Sequence, residues 1–388
     1  MYSPPPEWAW PTSFCAFVTV ATYVASIVTA NVSQVDRLWT FLPTIYSGYF
    51  ALLPLWPRQP LFPLCPYVPE ELTFAAMEYS PRALLMHSLV VLWMFRLSYN
   101  TFRRGLFSLA DEDYRWAVLR KQLPPWAFQV VNLSFIAIIQ NILLLGLGLP
   151  SYIAVSHQGH SGLSSTDYVL AVASLVTLAV EFTADNQQYA FQSYKQSCLS
   201  ATVAYDEAHH WPGARLKWTP ADAKRGFVTH GLWAWSRHPN FTCEQLFWWL
   251  NALFPVLAQE PPNLPDLTFQ DAYNGYRMVF LYLSTTPTSE ISAKFLAKAA
   301  AQVMYPYWPL AGAAALSCLF FASTTYSENI TLSKYPGYAY YQGRVAMFGF
   351  MKTLEMGAYY RTLGSKQREL VESAVWGSDT GEEKNKRD

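Results

Sequence analysis

Hydrophobic residues fall in long blocks along this chain, separated by short polar stretches. A helix needs roughly 20 mostly apolar residues to cross a bilayer. Seven blocks approach that length: Phe14–Ala30, Leu38–Trp56, Ala83–Tyr99, Phe128–Leu149, Tyr168–Phe182, Thr242–Ala258 and Val303–Phe321. Another run, Met278–Leu283, is too short to span alone and reads as half of a broken helix or an interfacial piece. The pattern predicts an all-α, polytopic transmembrane helix bundle of about seven spans, with roughly six to nine as the range.

The loops predict an orientation, because Lys and Arg concentrate on the cytoplasmic side of membrane proteins. Arg103, Arg104, Arg115, Arg120 and Lys121 lie between the third and fourth blocks; Lys195, Arg215, Lys217, Lys224, Arg225 and Arg237 lie between the fifth and sixth. Ser151–Asp167 and Gln259–Tyr276 carry neither residue type. The N-terminus is therefore expected on the lumenal side and the C-terminus in the cytosol, with the endoplasmic reticulum as the expected membrane. The division expected is a lumenal segment and first span over 1–30, a transmembrane domain over 31–350 and a charged cytosolic tail over 351–388. Within that tail the polar stretch Val371–Asp388 is expected to be disordered.

Composition supports the membrane reading: 52% of the 388 residues are hydrophobic and 14% charged, where soluble domains carry nearer ~25% charged residues. The formal net charge is zero, which argues against a nucleic-acid partner. Met1–Pro11 is Pro-rich and has no basic segment, so no secretory leader is expected. Cys15, Cys65, Cys198, Cys243 and Cys318 stand far apart, and His209 and His210 are adjacent; neither spacing makes a metal site or a disulfide framework.

Four polar clusters interrupt the apolar pattern. In the first, Trp233 precedes Arg237-His238-Pro239-Asn240-Phe241, with Glu244 three residues on, at the mouth of the sixth block. Polar groups at membrane depth are functional-site candidates by default. Pro239 fits the first turn of a helix, whose free N–H groups favour anions. Arg237 has the fork for a phosphate, Asn240 can hold a carboxamide such as that of nicotinamide, and Trp233 offers a stacking face. An aromatic interface belt with a snorkelling arginine is the plainer alternative.

The second cluster follows the last block and holds Glu328, Lys334, Tyr335 and Tyr341; it would equally serve as a juxtamembrane anchor. The third leaves the fifth block: Glu181, Asp185, Gln188 and Gln192 recur at helical spacing and share one face, a pocket wall or a solvated helix exit. The fourth is Asn31–Trp39, where Asp36 and Arg37 could pair with each other.

From about Asn31 to Phe350 the chain resembles the steroid 5α-reductase-like membrane oxidoreductases. The resemblance rests on Asn31-Val-x-x-Val-Asp36-Arg-x-Trp39, Trp93-x-x-Arg96-Leu, Glu181-x-x-Ala-Asp185-x-Gln187, Gly231-Leu-Trp-x-x-Ser-Arg237-His-Pro-Asn-Phe-x-x-Glu244 and Ser327-Glu328…Lys334-Tyr335-Pro-Gly-Tyr…Tyr341-Gln, in family order. It implies a helical membrane fold with a cytosol-facing cofactor pocket. It also implies NADPH-dependent reduction of a carbon–carbon double bond in a lipophilic, sterol-, steroid- or lipid-like substrate drawn from the bilayer. By position, Trp233, Asn240 and Phe241 would contact the cofactor, within a run that includes Arg237, His238 and Glu244. Glu328, Lys334, Tyr335 and Tyr341 match the C-terminal cofactor segment. Gln188 and Gln192 stand where better-known sterol reductases have basic residues, and Phe241-Thr242-Cys243-Glu244 replaces the family's Tyr-Phe-Gly-Glu.

Reduction of an enone needs a proton donor at the carbonyl as negative charge develops there. Glu181, Asp185, Tyr189 and Asp36 are the candidates. Two other readings use the same residues. One is an S-adenosylmethionine-dependent membrane methyltransferase, since such enzymes carry a similar Arg-His-Pro stretch. The other is an inactive membrane protein of the same fold.

Overall fold

The computed structural model describes residues 5–158, 160–200, 204–257, 269–285 and 305–377. Every regular element among them is helical. The chain divides into two compact units, Met1–Ala173 with Trp248–Leu316, and Ser174–Phe247 with Ser317–Asp388.

The first unit begins with α1 (Ala9–Thr29), α2 (Gln34–Leu38), α3 (Leu42–Ala51), α4 (Pro81–Arg103) and α5 (Tyr114–Gln122). There follow α6 (Pro125–Val131), a π-helical stretch (Asn132–Ile139), α7 (Gln140–Gly146) and α8 (Leu149–Ser156). Next come α9 (Ser165–Leu199), α10 (Pro220–Arg225), α11 (Pro239–Val256), α12 (Phe269–Thr285), α13 (Ala311–Lys334), α14 (Tyr338–Arg344), α15 (Phe350–Thr362) and α16 (Ser365–Trp376). The chain of α9, α11 and α13 contributes to both units.

In the first unit, α4 opens on Ser80, whose hydroxyl accepts from the Ala83 amide, with Pro81 in the first turn. Ala83, Met86, Leu89, Val90 and Trp93 then form its buried face. Where α7 and α13 meet, a Cβ on Gly312 would lie 2.5 Å from the Gly146 carbonyl oxygen, so only glycine admits that approach. Arg82 and Asp167 form a buried two-pronged pair at 2.8 and 3.0 Å. Gln158 accepts from Arg82 and donates to the Pro255 carbonyl.

Among the described residues, four helical stretches are long and apolar enough to cross a membrane: Pro6–Thr29, Pro125–Ser156, Ser165–Leu199 and Trp308–Lys334. They overlap the first, fourth, fifth and seventh hydrophobic blocks. The second block is not one helix: Pro43 opens α3, α3 ends at Ala51, and a 3-10 turn over Leu53–Leu55 follows. The third and sixth blocks are helical in α4 and α11 but carry His87 and Arg96, and Glu244 and Asn251, respectively. Met278–Leu283 is the interior of the 17-residue α12.

Two expectations for the C-terminal part are corrected. The Glu328–Lys334 stretch does not follow the last span; it is the end of α13 itself. Residues 371–376 are not a disordered tail, because Val371 and Val375, four apart on α16, are buried against Phe227, Tyr338, Tyr341 and Val345. Polar composition concealed one apolar stripe at helical spacing. Residues 378–388 lie outside the described residues.

Candidate functional site

Three of the four polar clusters lie in the second unit, and the Arg237 stretch is built from the turn upward. Gly231 adopts φ +66°, and a Cβ there would lie 2.6 Å from the Gln187 side-chain oxygen. That oxygen accepts from the Leu232 amide at 2.9 Å, while the Gln187 amide donates to the Gly213 carbonyl at 2.9 Å. The Trp233 indole N–H donates to the Ala184 carbonyl at 3.2 Å. α9 thus holds the turn from one side. The C-terminal segment holds it from another: the Arg237 and His238 amides donate to the Ala346 and Met347 carbonyls, and the Ser236 hydroxyl donates to Met347.

At the centre lies Glu328, 2% exposed. It accepts from Arg237 Nε at 2.7 Å and Nη2 at 2.9 Å, from the Tyr338 hydroxyl at 3.0 Å and from the Gln342 amide at 3.0 Å. His238 Nε2 lies 2.8 Å from the same carboxylate. Arg237 Nη1 donates to the carbonyls of Gln342 and Val345. Burial pushes the His238 ring down from its ordinary value, Arg237 pushes it the same way, and Glu328 opposes both. The Arg237 fork is therefore closed on Glu328 and serves as a tie between segments rather than as an open phosphate clamp. Tyr341, 1% exposed, spends its hydroxyl on the Trp233 carbonyl. Trp233, 4% exposed, packs among Phe191, Trp218 and Val228, so its ring is a core element and not an open stacking face.

Asn240 has a different character. Pro239 starts α11, as the sequence predicts, so Asn240 sits in its first turn. Its Nδ2 donates to Asp185 Oδ1 at 3.0 Å. Its Oδ1 is buried and has no hydrogen-bond partner. A buried amide oxygen left without a donor is costly, and a ligand N–H is one way to satisfy it. Glu181 and Asp185 lie one turn apart on α9 and are both buried; Glu244 is buried one turn beyond Asn240 on α11. Phe241 stacks on the His238 ring at 5.5 Å and meets Phe320 edge-on at 5.0 Å.

A second focus is Tyr335. Its hydroxyl accepts from Lys195 Nζ at 3.0 Å, and Lys195 also donates to the Gly226 carbonyl at 2.9 Å. The Lys195 and Lys334 ammonium groups lie 5.1 and 5.4 Å from the Tyr335 ring centre. Burial raises the phenol, but the Lys195 hydrogen bond and the two positive charges outweigh it and hold the phenol below its ordinary value. A phenol so held is suited to exchange a proton.

The remaining sequence candidates are placed as follows. Tyr189 is partly exposed on α9 and tilts against His210 at 5.9 Å; Gln188 is half-buried and Gln192 exposed. Asp36 belongs to the first unit and accepts from the Trp116 indole at 2.9 Å. It does not pair with Arg37, whose guanidinium donates to the Ser108 and Asp111 carbonyls. Sequence reasoning did not place Gln187, Lys195 or Gln342 among the site residues. Lys195 was discoverable, since it continues the Gln188–Gln192 face at helical spacing; the partners of Glu328 were not, because they depend on long-range packing. Among the described residues no group of His, Cys, Asp and Glu side chains forms a metal cluster.

The fold and its apolar helices define a multi-pass membrane protein. The chain belongs to the family described as a protein of unknown function (DUF1295), whose model matches residues 22–305. An uncharacterized protein of Schizosaccharomyces pombe is 32% identical over 238 residues, covering 61% of this chain and 60% of its own length. The chain thus spans about 60% of the length of that curated relative. No solved structure matches it. The family match includes Asp185, Arg237 and Asn240 and stops before Glu328 and Tyr335.

Proposed function

We propose that this protein is a membrane-embedded oxidoreductase that reduces a carbon–carbon double bond in a lipophilic, sterol-, steroid- or lipid-like substrate with NADPH. The resemblance of five ordered motifs to steroid 5α-reductase-like enzymes supports the reaction class. The observation that carries the reading is Asn240, held by Asp185 through its N–H and presenting a buried oxygen without a partner. That oxygen suits the N–H of a carboxamide, the group that distinguishes nicotinamide.

NADPH would supply the hydride. The chain's own residues divide the other tasks. Asp185 fixes which way the Asn240 amide faces. The Arg237–Glu328 tie keeps the first turn of α11 in register with α13 and α14. Tyr335, supported by Lys195, joins Glu181, Asp185 and Tyr189 as a candidate proton donor to the substrate carbonyl. Gln188 and Gln192 carry no charge, so selectivity for NADPH over NADH would have to come from elsewhere. In the same reading α4, α11 and the broken second block complete about seven crossings, the basic loops face the cytosol, and the membrane is the endoplasmic reticulum.

The test is a thermal-shift titration of the detergent-purified chain with NADPH, NADH and S-adenosylmethionine. The expected result is stabilisation by NADPH that disappears in Asn240→Ala. Stabilisation by S-adenosylmethionine alone would replace the reductase with a methyltransferase, and no response to any of the three would favour an inactive member of the fold.

A further inference from the structure

The C-terminal helices form a cleft of about 480 Å³ in the second unit, lined among others by Trp235, Arg344, Leu354, Gly357, Arg361 and Trp376. None of the tasks above uses it. Its volume falls within the range of small-molecule sites.

The charge in this cleft is unbalanced. Arg344 ends α14, is partly buried, and its Nε is buried without a hydrogen-bond partner. Its guanidinium lies 5.0 Å from the Trp376 ring centre. Arg361, from the last turn of α15, lines the same cleft, and Arg368 on α16 acts on Arg344 from nearby. The opposing acid is Glu372, and Arg368 already holds it at 3.4 Å. Among the described residues, Arg344 and Arg361 are therefore in excess. Burial pushes the Arg344 guanidinium down from its ordinary value, with Glu372 opposing and Arg361 adding to the strain. An anion placed between the two arginines would relieve it.

The backbone is shaped around this group. A Cβ on Gly357 would lie 3.1 Å from both Nη1 and Nη2 of Arg344. Glycine at this position lets the fork lie flat along α15. Trp376 is itself fixed, because its indole N–H donates to the Thr229 carbonyl at 3.0 Å. Arg225 donates to the Ala374 and Gly377 carbonyls next to it.

From these contacts we infer that the Arg344–Arg361 cleft binds a phosphoryl group, with the Trp235 and Trp376 rings against the apolar part of the molecule that carries it. Two planar guanidiniums match phosphate oxygens in paired hydrogen bonds. An excess of two positive charges suits a phosphate monoester, whose charge is about −1.5 to −2 near neutral pH. The group can be a soluble phosphate compound or a lipid headgroup, since both present this chemistry. The inference does not rest on the reductase reading, because its residues are separate from Asn240 and Asp185.

The experiment is isothermal titration of the full detergent-purified chain with two probes, adenosine monophosphate and short-chain dihexanoyl phosphatidic acid. Saturable binding of at least one is expected, weakened at least tenfold in the Arg344→Met/Arg361→Met double variant, a loss of about 1.4 kcal/mol. Gly357→Leu keeps both charges but occupies the space of the fork, and is expected to weaken binding by a similar factor. Tighter binding of the lipid assigns a headgroup, and tighter binding of the nucleotide assigns a soluble ligand. Absence of saturable binding to the unmodified chain by either probe overturns the inference. Binding that is unchanged in folded variants, verified by their thermal transitions, overturns it as well.

Discussion

Removing Glu328 is the sharpest perturbation available. Its carboxylate is buried and accepts two hydrogen bonds from Arg237, one from Tyr338 and one from Gln342, with His238 at 2.8 Å. Glu328→Met would leave the Arg237 guanidinium buried with only the carbonyls of Gln342 and Val345 as partners. Breaking one side of a buried ion pair costs about 3–5 kcal/mol. The remaining carbonyls place this case at the lower end, about 3 kcal/mol. At roughly 2 °C per kcal/mol for a long chain, the transition should fall by about 6 °C. Arg237→Met should cost a similar amount. In the double variant no buried charge is stranded, so the losses should not add, and a coupling of about 2 kcal/mol is expected. Thermal unfolding followed by tryptophan fluorescence measures all four proteins. Single variants within about 1 kcal/mol of the parent, or a double variant equal to the sum of the singles, would refute the claim that this tie holds α11, α13 and α14 together.

Two further outcomes follow from the same unit. Gly226 has φ +89°, and a Cβ there would lie 2.2 Å from the Tyr335 ring; Gly226→Ala should therefore destabilise by about 1–3 kcal/mol, read by thermal unfolding, and loosen Tyr335 from Lys195. His238 has a lower proton affinity in the folded chain than in the unfolded one, so the unfolded chain binds the proton first as pH falls through about 6.5. Its contribution to stability is present above that pH and lost below it, and the acid side of a stability–pH curve should flatten in His238→Gln; an unchanged slope would remove His238 as the cause.

Much of the architecture was legible because membrane helices announce themselves by composition. The first, fourth, fifth and seventh hydrophobic blocks each lie in or overlap a helix apolar enough to span. The second block failed because hydropathy averages over Pro43, in the first turn of a short helix, and over the end of that helix at Ala51. The tail failed in the opposite direction, since Val371 and Val375 are too few to raise the average yet lie on one face. In the site, the prominence of Arg237, His238 and Asn240 was evident from the residue types. Their roles were not: the same list of side chains gives an open phosphate fork or a closed structural tie, depending on where Glu328 comes to lie.

The sequence by itself determined a helical membrane protein and the polar runs in which its chemistry would be found, since spans follow from the length of apolar blocks and polar groups stand out against them. Only the tertiary structure decided which of those groups are consumed in holding the fold and which stay available. Arg237, Trp233 and Tyr341 find partners across long sequence separations. Asn240 retains an unmet oxygen and Arg344 an unmet nitrogen. Residue type fixes what a side chain can bind, but the partners brought beside it by packing fix whether that capacity is already used.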